Sequence, residues 1–236
     1  MTVETVQIAG VKVPIEPALM SPQILSVLRA GKWEQGEARI LPAILEAGER
    51  VVDIGAGIGF LAALIGLQGK ADSIVAIEAN PELTPLIETL LKLNGVEAEV
   101  RSVLVTPTKT SPTQPFYLHN DLWASSPIRM KDSARRGVVD LPVMTLDEVA
   151  QAYRPTLMII DIEVMRGFLA DGPAAARHSL MAVELFGVKK ILTELKPGRF
   201  SPAEIKAVFD GLSGCGFGYD PAASHSELVL FRRVEP

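Results

Sequence analysis

The chain has 236 residues, of which 48% are hydrophobic and 22% charged, enough apolar surface for a sizeable core and too little charge for wholesale disorder. Its formal net charge of −5 argues against a polyanionic partner, so nucleic acid is not expected to bind. The single cysteine, Cys215, excludes an internal disulfide and any cysteine-rich metal cluster.

The first residues, Met1-Thr2-Val3-Glu4, carry no basic stretch followed by an apolar run, so no signal peptide is read. The longest apolar stretch, residues 60–67, is too short and glycine-broken to span a bilayer. A cytoplasmic protein without a membrane partner is the expectation. Val6-Gln7-Ile8 and Val11-Lys12-Val13 flank Ala9-Gly10, which predicts a hairpin. Ser21 then caps a helix carrying Ile24, Leu25 and Leu28. A second helix carries Ile40, Leu41, Ile44 and Leu45 and stops at Gly48. Residues 1–48 are read as a flank or lid and residues 49–236 as the main domain.

From Val51 the pattern changes to strands alternating with helices. Val51-Val52-Asp53-Ile54 is a short β-branched strand, followed by a helix over 60–68. Ile74-Val75-Ala76-Ile77-Glu78 is the next strand. Pro81 sits at a helix start, Leu83, Leu86, Ile87, Leu90 and Leu91 follow at helical spacing, and Asn94-Gly95 closes the helix. Residues 100–105 form a third strand. Residues 106–140, rich in Pro, Ser and Thr, read as a long substrate-covering connection. Leu146-Asp147-Glu148-Val149 suggests a short helix. Strands follow at 157–161 and 190–195, a helix at 202–212, and a closing pair at 217–219 and 227–231. Near-continuous apolar strands joined by helices predict an α/β fold: a doubly wound, mostly parallel seven-stranded sheet, helices on both faces and a C-terminal antiparallel hairpin.

Ligands of such sheets bind beyond the carboxyl ends of the strands. There the chain has Asp53-Ile54-Gly55-Ala56-Gly57-Ile58-Gly59. Glycines let the backbone approach a ligand closely, and the helix starting near Phe60 points free N–H groups into the same space. Alternate glycines after an acid differ from the dinucleotide fingerprint Gly-x-Gly-x-x-Gly. A diphosphate would repel Asp53, whereas an ammonium or sulfonium would tolerate it. Glu78, at the end of the second strand, is placed to accept from two ribose hydroxyls. The set describes an adenosyl amino acid better than a dinucleotide.

At this point the sequence resembles the FkbM family of S-adenosylmethionine-dependent methyltransferases, which are mostly O-methyltransferases. The likeness runs from Trp33-Glu34 through the glycine loop, Ala76-Ile77-Glu78-Ala79-Asn80-Pro81, Asn94-Gly95 and Ser125-Ser126. It continues in Val143-Met144-Thr145-Leu146-Asp147-Glu148, Ile160-Asp161-Ile162-Glu163 and Thr193-Glu194-Leu195. The resemblance implies a class I methyltransferase fold with S-adenosylmethionine bound by Asp53, Gly55, Ala56, Gly57, Gly59, Glu78 and Ala79. Asn80 and Ser102 would lie toward ribose and adenine. The family pattern Lys-Ile-Asp-Val-Glu-Gly-x-Glu is Ile159-Ile160-Asp161-Ile162-Glu163-Val164-Met165-Arg166 here. The leading Lys, the Gly and the second Glu are replaced.

Methyl transfer to a small-molecule or sugar hydroxyl needs an aligned acceptor, exclusion of water and a base within reach. Asp161, at the mouth of the sheet, is the first candidate, with Glu163 beside it. His119, next to Asn120-Asp121 in the long connection, is a third; His178 and His225 read as packing or surface residues. Arg129, Lys131, Arg135 and Arg136 read as solvated loop surface, with an anionic substrate as the sharper alternative. Trp123 either stacks on a substrate ring or anchors its loop. Without the second Glu, paired carboxylates for Mg²⁺ are incomplete, and no metal is assigned. Two rival classes stay open: a methyltransferase-like binding protein without turnover, and a nicotinamide-dependent oxidoreductase.

Overall fold

The computed structural model of the chain describes residues 4–119, 125–127, 135–161, 185, 187–196 and 198–234, with the backbone alone at 135 and 136. Strands β1 (Thr5–Ile8) and β2 (Val11–Pro14) pair antiparallel across Ala9-Gly10. Both turn residues lie at positive φ, 47° and 88°, as a two-residue hairpin turn requires. Helix α1 (Pro22–Arg29) is capped by Ser21, whose hydroxyl accepts from the Ile24 amide. Helix α2 (Gln35–Ile44) ends when Leu45 turns extended and buries its side chain. It therefore stops before Gly48, which at φ 80° turns the chain toward β3 (Glu49–Ile54) instead.

This N-terminal segment is not a separate body. Val11, Val13, Ile24, Leu28 and Leu41 are fully buried in one cluster with Phe60, Ile65, Ile87 and Leu90. The last four belong to α3 (Phe60–Leu67) and α4 (Thr84–Asn94). Helix α4 begins at Thr84, not at Pro81. Asn80 holds the intervening turn: its Oδ1 accepts from the Glu82 amide and its carbonyl from the Leu83 amide. Gly95, at φ 64°, closes α4.

The main sheet has the order β11-β12-β10-β9-β3-β4-β5. It is built from β3, β4 (Ala71–Glu78), β5 (Glu99–Ser102), β9 (Leu157–Ile160), β10 (Lys190–Glu194), β11 (Phe217–Tyr219) and β12 (Leu228–Arg233). Strands β5, β4, β3, β9 and β10 run parallel, and β12 and β11 complete an antiparallel edge. Its parallel centre is buried on both faces, one by the N-terminal segment with α3 and α4, the other by α5 (Leu146–Tyr153) and α6 (Pro202–Gly214). From β3 the chain winds one way to β4 and β5, then returns to β9 on the opposite side. The gap between β3 and β9 is thus the topological switch point, where ligands of doubly wound sheets bind.

The described residues between 106 and 140 include strands where a long connection was expected. The expected third strand divides into β5 and β6 (Leu104–Thr106), and β6 joins a second sheet of order β6-β8-β7. Strands β7 (Thr113–His119) and β8 (Arg135–Thr145) pair antiparallel. Burial of Phe116 and Leu118 against Leu141 explains the pairing: period-two apolar positions face a small core of their own with Leu104. Among the described residues, no helix is long and apolar enough to cross a membrane.

Candidate functional site

At the carboxyl end of the central strands lies a cavity of about 770 Å³. Its floor is the loop after β3. Gly55, Gly57 and Gly59 all adopt positive φ (86°, 56° and 82°), a conformation that costs an L-residue about 1–2 kcal/mol. The Gly55 and Ala56 amides both donate to the Ile77 carbonyl on β4, at 2.8 and 3.0 Å. A Cβ at Gly57 would meet nothing within 4 Å, so its bare backbone faces open space. Gly59 serves packing: a Cβ there would stand 2.7 Å from Ile87 Cγ2.

Glu78, the last residue of β4, is 8% exposed. One carboxylate oxygen accepts from the Gly57 amide at 2.8 Å and the other from the Asn80 amide at 2.7 Å. Burial raises its pKa to about 7, opposed by the Asn80, Gly57 and Ala79 amides. Asp53 is 2% exposed, and its Oδ2 is enclosed with no hydrogen-bond partner. Burial first, then the charges of Asp161, Glu78 and Glu37, raise its pKa to about 8. A buried carboxylate without a partner is costly unless a cation or donor joins it.

Asp161 directly follows β9, and its amide donates to the Ile54 carbonyl at 2.9 Å. That bond sets Asp161 beside the glycine loop across the switch point, where it lines the cavity with Thr193 and Glu194 from the end of β10. The Thr193 hydroxyl donates to the Ile160 carbonyl at 2.8 Å, fixing the two strand ends together.

The cavity therefore gathers Asp53, Gly55, Ala56, Gly57, Glu78, Ala79 and Asp161. Gly59, Asn80, Ser102 and His119 are not part of its wall. Asn80 supports Glu78 from behind, and the His119 amide donates to Ser125 Oγ. Glu163, Trp123 and His178 lie outside the described residues, as do Arg129 and Lys131. Cys215 caps the end of α6, and burial raises its thiol pKa.

Among the wall residues that escaped the sequence reading of the site are Glu34 and Glu37 at the start of α2. Burial, and then Glu37, Asp53 and Asp161, push the Glu34 carboxyl well above the usual range. Glu37 is raised as well, chiefly by burial. Their signal was three-residue spacing in a helix's first turn, directly after Trp33, which places both on one side. Among the described residues, no three His, Cys, Asp or Glu side chains are grouped to hold a metal ion.

Residues 28–114 match the model of the TRM5/TYW2 methyltransferase domain. The matched span holds the glycine loop, Glu78 and both new carboxylates. No curated protein matches the chain. Among solved structures, PH0793 of Pyrococcus horikoshii, named as a transferase, aligns at TM-score 0.52 and 14% identity, over 98% of this chain and 71% of that one. Magnesium protoporphyrin IX methyltransferase from Synechocystis PCC 6803, solved with bound S-adenosylmethionine, aligns at 0.50 and 11%, over 91% and 86%. An rRNA methylase from Streptococcus thermophilus aligns at 0.45 and 13%, over 92% and 99%. The fold is the class I methyltransferase fold, and S-adenosylmethionine is the cofactor that the matching methyltransferase domain model indicates.

The match to the TRM5/TYW2 methyltransferase domain overturns the expected exclusion of nucleic acid. The exclusion rested on a net charge summed over the whole chain, and such a sum says nothing about a local binding face. The FkbM family is not what the domain model matched.

Proposed function

We propose that this chain transfers the methyl group of S-adenosylmethionine to a hydroxyl oxygen, with Asp161 as the base. The observation that carries the reading is the pair of buried carboxylates, Asp53 and Glu78, closing the ends of β3 and β4 around a glycine loop whose Gly57 leaves open space. Asp53 Oδ2, enclosed without a partner, suits the cofactor's ammonium. Glu78 keeps acceptor capacity for ribose hydroxyls, and Ala79, Leu83 and Val103 offer an apolar wall for adenine.

When bound, the cofactor supplies an electrophilic methyl group on a sulfonium. This chain's residues align the acceptor, exclude water and take one proton. Asp161 is fixed at the switch point by its amide bond to Ile54, beside the loop that seats the cofactor. As the acceptor oxygen gains the methyl carbon and the carbon–sulfur bond breaks, Asp161 receives the hydroxyl proton. Residues 1–48 act in this reading as a flank whose Trp33, Glu34 and Glu37 close one side of the cavity. The segments Thr145-Leu146-Asp147-Glu148 and Ile160-Asp161-Ile162-Glu163 favour FkbM-type O-methyl transfer. Val164 and Arg166, which depart from that pattern, favour a second reading in which the cofactor binds without turnover.

The test is equilibrium binding of S-adenosylmethionine and NAD side by side. Transfer of labelled methyl to a panel of sugars, small hydroxylated molecules and RNA then follows. Binding of S-adenosylmethionine with label on a hydroxyl compound is the expected result. Tight NAD binding alone would overturn the cofactor assignment, label on RNA would replace the acceptor class, and binding without any transfer would favour the second reading.

A further inference from the structure

Glu34 is an unusual residue for its place. It opens α2 in a left-handed conformation, φ 42° and ψ 42°, yet its side chain makes no capping bond to the helix it precedes. Such a conformation is uncommon outside glycine and costs an L-residue about 1–2 kcal/mol. The carboxylate lines the cavity, its Oε2 is enclosed without a hydrogen-bond partner, and Asp53, with its own enclosed and unpartnered Oδ2, lines the same cavity. Strain and an enclosed carboxylate oxygen without a partner, both at a residue from the flank, mark a position held for a ligand rather than for the fold.

We propose that Glu34 is a specificity-determining residue of the cofactor site: with Asp53 it makes the cavity select a ligand of net positive charge, and so favours the methyl donor over its demethylated product. This rests on the assignment of S-adenosylmethionine as cofactor. The donor carries a sulfonium, an ammonium and a carboxylate, net +1. The product, S-adenosylhomocysteine, has a thioether in place of the sulfonium and is net neutral. Their shapes differ by one methyl group, so charge is the larger handle for telling them apart.

The groups that face Glu34 make that handle strong. Glu37, Asp53 and Asp161 all act on it with the same sign, and the Trp33 indole alone favours its charged form. In an enclosed site such charges are poorly screened, so the donor's sulfonium relieves them in addition to the ammonium that donor and product share, and the product lacks that second cation. After transfer the proton sits on Asp161; once Asp161 releases it to water, the carboxylates face a product without the sulfonium charge, and the product is expelled.

The experiment measures dissociation constants of S-adenosylmethionine, S-adenosylhomocysteine and sinefungin, whose amine replaces the sulfonium as a cation, for the full chain and for Glu34→Gln at pH 8. The product-to-donor ratio of dissociation constants is expected to fall by about fivefold or more in Glu34→Gln, with sinefungin following the donor. Glu34→Gly, which accepts the left-handed backbone without strain, is expected to give the same ratio in a protein at least as stable as the parent. Equal weakening of all three ligands, or unchanged ratios in both variants, overturns the role of Glu34 and leaves the cofactor assignment standing. Failure of the parent chain to bind S-adenosylmethionine overturns both.

Discussion

Gly57 donates its backbone N–H to Glu78 Oε2 at 2.8 Å, joining the loop after β3 to the carboxylate that ends β4. The Asn80 amide holds the other oxygen at 2.7 Å, so the acid is fixed before any ligand arrives. Glu78→Gln keeps the shape but sets an NH₂ donor against one of these amide donors. Cofactor affinity is expected to fall about 10–100-fold by calorimetry, with stability changed by about 1 kcal/mol or less, because the burial cost of the charge disappears along with one hydrogen bond. Gly57→Ala is the complementary probe. Its Cβ meets open space in the protein, so the backbone cost is about 1–2 kcal/mol and the main loss is cofactor binding. Wild-type affinity in both variants would remove this corner from the site.

Gly59 behaves differently although it belongs to the same loop. At φ 82° a Cβ would sit 2.7 Å from Ile87 Cγ2 and 3.3 Å from Ile87 Cβ, so the Ile87 side chain must move. Gly59→Ala is expected to lose about 2–4 kcal/mol in urea unfolding, from strain plus overpacking. Ile87→Ala, which removes the nearest atom, should cost about 2–5 kcal/mol alone through its cavity. The double variant should then lose clearly less than the sum. Strict additivity would mean that Gly59 does not govern the approach of α3 and α4.

The central sheet was readable because Val51-Val52-Asp53-Ile54 and Leu157-Met158-Ile159-Ile160 are buried on both faces, and such strands show as nearly continuous apolar runs. Asp53 and Glu78 were readable for the same reason: an acid ending an apolar strand stands out. Strands β7 and β8 were hidden because Pro115 and Pro142 interrupt the alternation of Phe116, Leu118, Leu141 and Val143, and the stretch before β7 is rich in Ser and Thr. The break between β5 and β6 left no mark either, since both halves are equally β-prone. Glu34 and Glu37 look like ordinary solvated acids of a first helical turn. Only the packing of α2 against α3, remote in sequence from the strand pattern, turns them into the cavity.

Asp53 and Glu78 also fix the pH response. Burial raises them to about 8 and about 7, against about 3.9 and 4.3 in an unfolded chain. Folded values above unfolded ones mean that their contribution to stability is full below about pH 4 and is lost as pH rises toward 8. The cofactor-free protein should therefore lose melting temperature between pH 5 and 8 more steeply than Asp53→Asn. Cofactor binding has the opposite sign. A cation favours the ionised acids, so binding releases protons near neutral pH, and affinity rises from pH 6 to 8 by up to about tenfold per unit for each proton released. Calorimetry in two buffers of different ionisation enthalpy measures that release. A binding enthalpy independent of buffer would show that neither acid changes its protonation.

The flank is tied to the sheet by a buried charge. Lys190 on β10, 1% exposed, pairs with Glu49 at the start of β3 and donates to the Ile44 carbonyl at the end of α2, at 2.7 Å. Glu49 also accepts from the Thr156 hydroxyl, and Glu46 reaches the same ammonium at 3.1 Å. Lys190→Met leaves Glu49 buried beside one hydroxyl, and such uncompensated charges cost about 3–5 kcal/mol. Lys190→Met with Glu49→Gln removes both charges and should recover most of that loss. Because the lysine bridges the end of α2 to two sheet strands, the single variant should also weaken cofactor binding through Glu34, which α2 carries into the cavity. Urea unfolding of the single and double variants, with binding measured under native conditions, separates the two effects. If stability returns in the double variant while affinity does not, the Ile44 carbonyl bond, and not the ion pair, sets the position of α2.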